Sequence, residues 1–297
     1  MPLKTLKTEK PNRASANLDA MSALELATLM NREDAAVPRA IKRVLPQVAQ
    51  AIDIIAQRLG RGGRLFYVGT GTSGRIGALD AVEIPPTFGT DPGMIQFVIA
   101  GGEPALASAA EASEDNATLG RTDMATRKPG RRDVVVGIAA SGRTPYTIGA
   151  LEYANNKGAA IMAVVCNKGS VMADMAQVAI EVDVGPEVLT GSTRLKAGTA
   201  EKMVCNMLST GAMARLGYLY GNHMVNLHLK NHKLLQRGIT IVEDVARVDR
   251  DLALRTLKAA GMKVPVALVM LKANVSRTEA TRRLKRTHGI VRHALKD

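Results

Sequence analysis

The feature that most constrains this chain is an alternation that begins at residue 64. Short apolar runs recur, each followed by a small-residue loop and a stretch with helical spacing. Arg64–Val68 (RLFYV) leads into Gly69-Thr-Gly-Thr-Ser-Gly74 and a helical pattern to Glu83, which Pro85 and Pro86 are expected to stop. Ile95–Ala100 turns at Gly101-Gly102 into an Ala-rich stretch expected to be helical from Pro104 to Leu119. Asp133–Ala139 ends at Ala140-Ser-Gly-Arg-Thr144, before a helix through Tyr153; Ala160–Val165 and Val178–Val182 read as two more strands. Strands apolar throughout, separated by helices, specify a parallel sheet buried on both faces, the α/β layered class.

The flanks read as helical. Residues 1–17 are polar and expected to be extended or loosely ordered. Leu24, Leu26, Leu29 and Met30 begin one helix, and a second is expected from Ala35 to Leu59, with Pro46 kinking or dividing it. After Val188 no further strand is expected. Thr193 to Leu219 reads as one long helix whose Met203, Val204, Met207, Leu208 and Met213 form a core stripe, and Asn222–Arg237 reads as another. From Gly238 onward short helices suggest a small bundle. The expected divisions are an N-terminal helical segment at 1–59, a central domain at 60–237 and a helical bundle at 238–297.

Charge narrows the function. The chain of 297 residues carries a formal +13, which invites a nucleic-acid reading, but aromatics are 3% and Trp is absent, so bases have little to stack on. The excess is also misplaced for that role: residues 61–237 carry only +3, whereas 238–297 carry +7. No nucleic-acid or membrane partner is expected. Met1–Lys10 is charged and has no apolar core of a secretory signal, and no apolar run reaches the roughly 20 residues of a membrane span, so a cytoplasmic protein is expected. Cys166 and Cys205 sit in apolar surroundings and read as buried reduced thiols.

The loops carry the chemistry. Gly69, Gly71 and Gly74 form G-x-G-x-x-G between a strand and a helix, a weak dinucleotide signal by itself. Thr70, Thr72 and Ser73 add hydroxyls, and Ala140–Thr144 repeats the same construction with Ser141 and Thr144. Two hydroxyl-rich loops at adjacent strand ends suit one phosphomonoester better than a nicotinamide dinucleotide. Arg75 and Arg143 are expected nearby. A third polar run, Gly185–Lys202, brings Thr190, Ser192 and Thr193 to a helix start. It reads either as a capped terminus or as a second anion- or sugar-binding edge.

Among carboxylates, Glu83 is expected at the C-terminal end of its helix, where the dipole disfavours negative charge and suits a carboxyl group to donate a proton. Glu111, Glu114 and Asp115 are expected on one face of the next helix, as a solvated acidic face or as a general acid or base. His223, His228, His232, His288 and His293 lack metal-site spacing: His228 and His232 are i, i+4 but enclose Leu-Lys-Asn.

Taken together, YVGTGTSGRIGALDAVEIPPTFGTDP (67–92), IAGGEPALASAAEASEDNA (99–117), VVGIAASGRTPYTIGAL (135–151), GPEVLTGSTRLKAGTAEKM (185–203) and AAGMKVPVALVMLKANVSRTEAT (259–281) resemble the N-acetylmuramic acid 6-phosphate etherases of the sugar isomerase (SIS) superfamily, over about residues 17–295. The resemblance implies a flavodoxin-like SIS domain, a C-terminal helical bundle similar to ubiquitin-associated folds, and a homodimer. It implies cleavage of the D-lactyl ether to give N-acetylglucosamine 6-phosphate and D-lactate, with no metal or organic cofactor. It places the catalytic acid at Glu83, the base at Glu114, and phosphosugar contacts at Thr72, Ser73, Ser141, Thr144 and Ser192. Ile84 departs from the family's frequent Cys and Asn226 from an expected Asp. A non-catalytic SIS sugar-phosphate sensor is the alternative; it need not keep both Glu83 and Glu114.

Overall fold

A computed structural model describes residues 5–108, 113–229 and 231–296. They fall into two compact units, Met1–Val82 with Gly93–Ser209, and Glu83–Pro92 with Thr210–Asp297.

The first unit is built on a parallel five-stranded sheet, β1 (Leu65–Gly69), β2 (Ile95–Ile99), β3 (Val134–Ile138), β4 (Ala160–Val165) and β5 (Val178–Glu181), in the order β2-β1-β3-β4-β5. All five strands lie within a residue or two of the sequence expectation, because a parallel strand covered on both faces must be apolar at every position. Every residue of β1, β3 and β4 is buried. One face packs Phe66, Val68, Val135 and Ile161 against Met124, Tyr146, Leu151 and Met172. These come from α5 (Ala117–Thr126), α6 (Pro145–Asn156) and α7 (Val171–Met175).

The opposite face meets α4 (Gly71–Phe88), where a Cβ on Gly77 would lie 2.8 Å from the Tyr67 side chain. It also meets α8 (Lys196–Arg215), through a hydrogen bond from Tyr67 OH to the Cys205 carbonyl at 3.4 Å. Asp80, buried on α4, accepts from Tyr67 OH at 2.9 Å, Asn206 Nδ2 at 2.7 Å and Ser209 Oγ at 3.1 Å, which pins α4 to α8. Cys166 and Cys205 are buried and free, and burial pushes both thiols up.

The N-terminal helices are α1 (Ala23–Asp34), opened by a Ser22–Glu25 capping box, α2 (Ala36–Lys42) and α3 (Leu45–Gly60). Pro46 divides the expected second helix by taking a first-turn position of α3, where its missing N–H costs nothing. Within residues 1–17, expected to be extended or loosely ordered, Lys7–Glu9 and Arg13–Ser15 instead form short 3-10 turns, and a third follows at Leu18–Ala20. Leu6 and Thr8 are buried, and Asn167 fixes the segment by accepting from Lys7 N–H at 2.8 Å and donating to Thr8 Oγ1 at 3.1 Å.

The expected helix from Pro104 to Leu119 does not form over the described part. Glu103–Leu106 is a 3-10 turn entered through Gly102 at φ +67°, and α5 starts only after Asn116, whose side chain caps it. Residues 109–112, including Glu111, lie outside the described residues.

The second unit holds the last turns of α4. Pro85 and Pro86 do not stop this helix at Glu83; it continues to Phe88. Phe88 is buried edge-on to Tyr218, ring centroids 6.4 Å apart, and the Thr87 hydroxyl donates to the Glu83 carbonyl at 2.7 Å. A small antiparallel pair, β6 (Leu219–Tyr220) and β7 (His223–Met224), occupies part of the stretch expected to be helical. The helix expected at 222–237 begins at His232 instead: α9 (His232–Ala246) is capped by Asn231 and passes through Gly238 unbroken. Gly238 is there for space, since a Cβ would sit 2.7 Å from Leu229 Cδ2. Then follow α10 (Arg250–Ala259), α11 (Val264–Ala273), α12 (Arg277–Arg286) and α13 (Val291–Ala294) around a core that includes Val242, Leu257, Leu268 and Val291. Asn226 and His228 flank Gly89: a Cβ on Gly89 would lie 2.1 Å from the Asn226 carbonyl oxygen.

Candidate active site

The sheet order reverses direction between β1 and β3, and the chain leaves both strands at the same carboxyl edge, the usual ligand crevice of an open α/β sheet. The first loop sits there because two glycines permit it. A Cβ on Gly69 would lie 2.8 Å from the Ile138 carbonyl oxygen, and one on Gly74 2.7 Å from Ile99 Cγ1. Gly71 takes φ +49°, and the space beside it is open within 4 Å. α4 therefore starts at once, with Thr72 and Ser73 in its first turn, where backbone N–H groups have no intrahelical acceptor and the dipole favours an anion.

The second loop is shaped by Gly142, whose φ of +67° brings it against Ser170; a Cβ would sit 2.2 Å from Ser170 Oγ. Ser141 Oγ accepts from Arg143 N–H at 3.2 Å, and Asn167 Nδ2 donates to the Ala140 carbonyl at 2.9 Å. Thr144 occupies the N-cap position of α6, yet its hydroxyl does not cap the helix. It donates instead to Glu114 Oε1 at 3.4 Å.

Glu114 reaches that place through close helix packing. A Cβ on Gly120 would lie 2.0 Å from the Tyr146 carbonyl oxygen and one on Gly149 2.1 Å from that of Ala117, so α5 and α6 touch backbone to backbone. The turn before α5 is then tied to α6 by Tyr146 N–H, which donates to the Glu114 carbonyl at 3.0 Å. Glu114 is thus a half-buried carboxylate in a turn beside the second loop, not one of a row on a helix face. Arg75 donates to the carbonyls of Leu106 at 3.3 Å and Ser108 at 2.7 Å.

The third polar run meets the first loop. A Cβ on Gly198, in the first turn of α8, would lie 3.4 Å from the Thr72 methyl. Ser192 lies half-buried in the turn before the helix, its N–H donating to the Leu189 carbonyl at 2.9 Å. A carboxylate holds the start of α8: Glu187 accepts from Lys196 N–H at 3.0 Å and Ala197 N–H at 2.9 Å, while burial raises it above the usual carboxylate range. Of the two readings for this run, the capped terminus accounts for these N–H groups.

Glu201, one turn further along α8, escaped the sequence reading. It is 1% exposed, with Oε1 3.0 Å from Ser73 Oγ. Burial pushes it up to about 8, the Ser73 hydrogen bond works against that shift, and the Glu187 charge adds to it. A signal was present: Glu201 falls on the apolar face with Ala197, Val204, Cys205 and Leu208, where a charge has no water to face.

Glu83 belongs to the second unit. It is solvent-exposed and lies within α4 rather than at its end. Among the described residues no cluster of three or more His, Cys, Asp or Glu side chains could hold a metal ion, and no helix is long and apolar enough to cross a membrane.

The fold and the two loops have counterparts in known proteins. Residues 47–155 match the glucokinase regulatory protein N-terminal SIS domain and residues 122–210 the SIS domain. A phosphoheptose isomerase structure from Francisella tularensis superposes with a TM-score of 0.50 at 16% identity, over 64% of this chain and 100% of that one, a likeness of fold alone. Sequence relatives are far nearer. An N-acetylmuramic acid 6-phosphate etherase of Burkholderia lata is 52% identical over 99% of this chain and 97% of its own length. One from Klebsiella aerogenes is 49% identical, over 99% and 98%. Identity of that order along nearly the whole of both chains shows that the chain belongs to the N-acetylmuramic acid 6-phosphate etherase family.

Proposed function

We infer that this chain is a carbon–oxygen lyase that cleaves the D-lactyl ether of N-acetylmuramic acid 6-phosphate, releasing N-acetylglucosamine 6-phosphate and D-lactate. The observation that carries the reading is near-full-length membership in the etherase family. An alkyl ether resists hydrolysis at neutral pH, so the reaction needs a route through an acidified carbon. Opening the sugar ring exposes the C1 aldehyde and acidifies the C2 proton. A base takes that proton, the C3–oxygen bond breaks as an acid protonates the departing lactate, and water adds across the C2–C3 double bond.

In this reading Glu114 is the base. Its half-buried carboxylate, engaged by Thr144, is held beside the second loop. Glu83 is the acid, its exposure supporting exchange of its proton with water between turnovers. Each positioned proton transfer contributes about 10²–10⁴-fold. Thr72 and Ser73 at the start of α4, Ser141 and Thr144 in the second loop, and Ser192 before α8 serve the phosphosugar. Residues 60–237 act as the catalytic domain, 1–59 as its helical flank and 238–297 as a helical bundle. The enzyme works in the cytoplasm as a homodimer. Leu79 and Val82, large apolar residues exposed on α4, support an interface on that helix. The test is incubation with N-acetylmuramic acid 6-phosphate in heavy water: release of D-lactate with one deuterium at C2 of the product is expected, and release without deuterium would refute the elimination route.

A further inference from the structure

Glu201 has no part in the reaction as written, yet it touches the first loop. It is buried on α8 with its carboxyl 3.0 Å from Ser73 Oγ. Glu187, from the segment before α8, is the ionisable group whose charge acts on it, and it is not basic; Glu201 in turn raises the buried thiols of Cys166, beyond β4, and Cys205, on α8 itself. A carboxyl group in such a place keeps its proton at neutral pH, and burial pushes it up to about 8. That proton decides which way the Ser73 hydroxyl points. A phosphate ester above pH 7 is a pure acceptor and needs the serine proton for itself. Ser73 can give it only while its buried partner does not claim it, and a partner that donates to Ser73 Oγ leaves it free. The neutral acid is such a donor; the carboxylate is acceptor-only and would claim the serine proton.

We propose that Glu201 is a positioning residue for phosphosugar binding: as a neutral acid it donates to Ser73 Oγ and thereby directs the Ser73 hydroxyl proton to the phosphate. The proposal rests on the placing of phosphate at Ser73 given above. It makes binding proton-linked in the alkaline range, where the phosphate ester, second ionisation near pH 6, no longer titrates.

The experiment is calorimetric titration of the whole protein with N-acetylglucosamine 6-phosphate between pH 6.5 and 9.5, in buffers of different ionisation enthalpy. Wild type is expected to lose affinity about tenfold per pH unit above pH 8 and to take up close to one proton per site on binding at pH 9. Glu201→Gln, whose amide also donates to Ser73, is expected to bind with a flat profile over that range and without the uptake. Parallel profiles, or no proton uptake by wild type, overturn the proposal. Wild-type uptake is read without the variant, so a variant that misfolds leaves the question decidable. Failure of wild type to bind at any pH overturns the phosphosugar reading itself, and the proposal with it.

Discussion

The buried carboxyl of Glu201 makes a stability prediction that is independent of any ligand. In the unfolded chain its carboxyl titrates near 4.5, and in the folded protein near 8. Between those values the folded state holds a proton that the unfolded state has lost, so the contribution of Glu201 to stability is fully present at and below pH 4.5 and falls as pH rises toward 8. The slope is about 1.4 kcal/mol per pH unit, which gives about 3 kcal/mol by pH 7 and about 4 kcal/mol by pH 8, levelling off above. Glu201→Gln keeps the shape and the bond to Ser73 but cannot ionise. The variant should match wild type near pH 5 and exceed it by several kcal/mol at pH 8. Urea unfolding followed by circular dichroism at pH 5, 6, 7, 8 and 9 reads the difference directly. Glu187, also raised, moves both proteins alike and cancels. Parallel curves for the two proteins across that range would refute the reasoning, because they would mean that Glu201 is already ionised in the fold.

Three further substitutions probe the site. Glu114→Gln should lower kcat by about 10²–10⁴-fold with little change in KM and abolish deuterium wash-in at C2; unchanged kcat would remove Glu114 as the base. Gly142→Ala places a methyl 2.2 Å from Ser170 Oγ at a φ of +67°. It should cost at least about 1–2 kcal/mol in unfolding free energy and raise KM for the phosphosugar, and a wild-type melting curve and KM would contradict the reading of that turn. Asp80→Ala removes the acceptor shared by Tyr67, Asn206 and Ser209 and leaves Tyr67 only its longer bond to the Cys205 carbonyl, so about 1–3 kcal/mol is expected for the broken network; an unaltered urea midpoint would show that the network adds nothing.

What the sequence made legible follows from how local each signal is. Five continuous apolar runs between loops and helical stretches determined the sheet, and the glycines at 69, 74 and 142 marked the two loops at its carboxyl edge. The stretch after Gly102 misled because alanines favour helix while Pro104 and Asn116 set other boundaries; Asn116 starts α5 where continuity with Pro104 was assumed. Pro85 and Pro86 misled in the opposite sense, since a buried Phe88 holds the last turn of α4. Glu201 stayed hidden because its partner, Ser73, is 128 residues away in sequence. The arginine of the first loop, Arg75, looked like an anion ligand for the same reason: only the fold reveals that the turn at 106–108 takes its donors.

Asn167 joins two parts of the chain that are synthesised far apart. It supports the Ala140 carbonyl at the base of the second loop, and with the same amide group it holds Lys7 and Thr8. The side chain that residues 7 and 8 bind follows 159 residues after Thr8. Closing so long a loop is slow compared with pairing neighbouring strands. The turns at residues 7 and 8 are therefore expected to settle late, after the sheet has formed. Maturation of the second loop and docking of the N-terminal segment then become one event, visible in pulse-labelling hydrogen exchange as shared protection of the two segments.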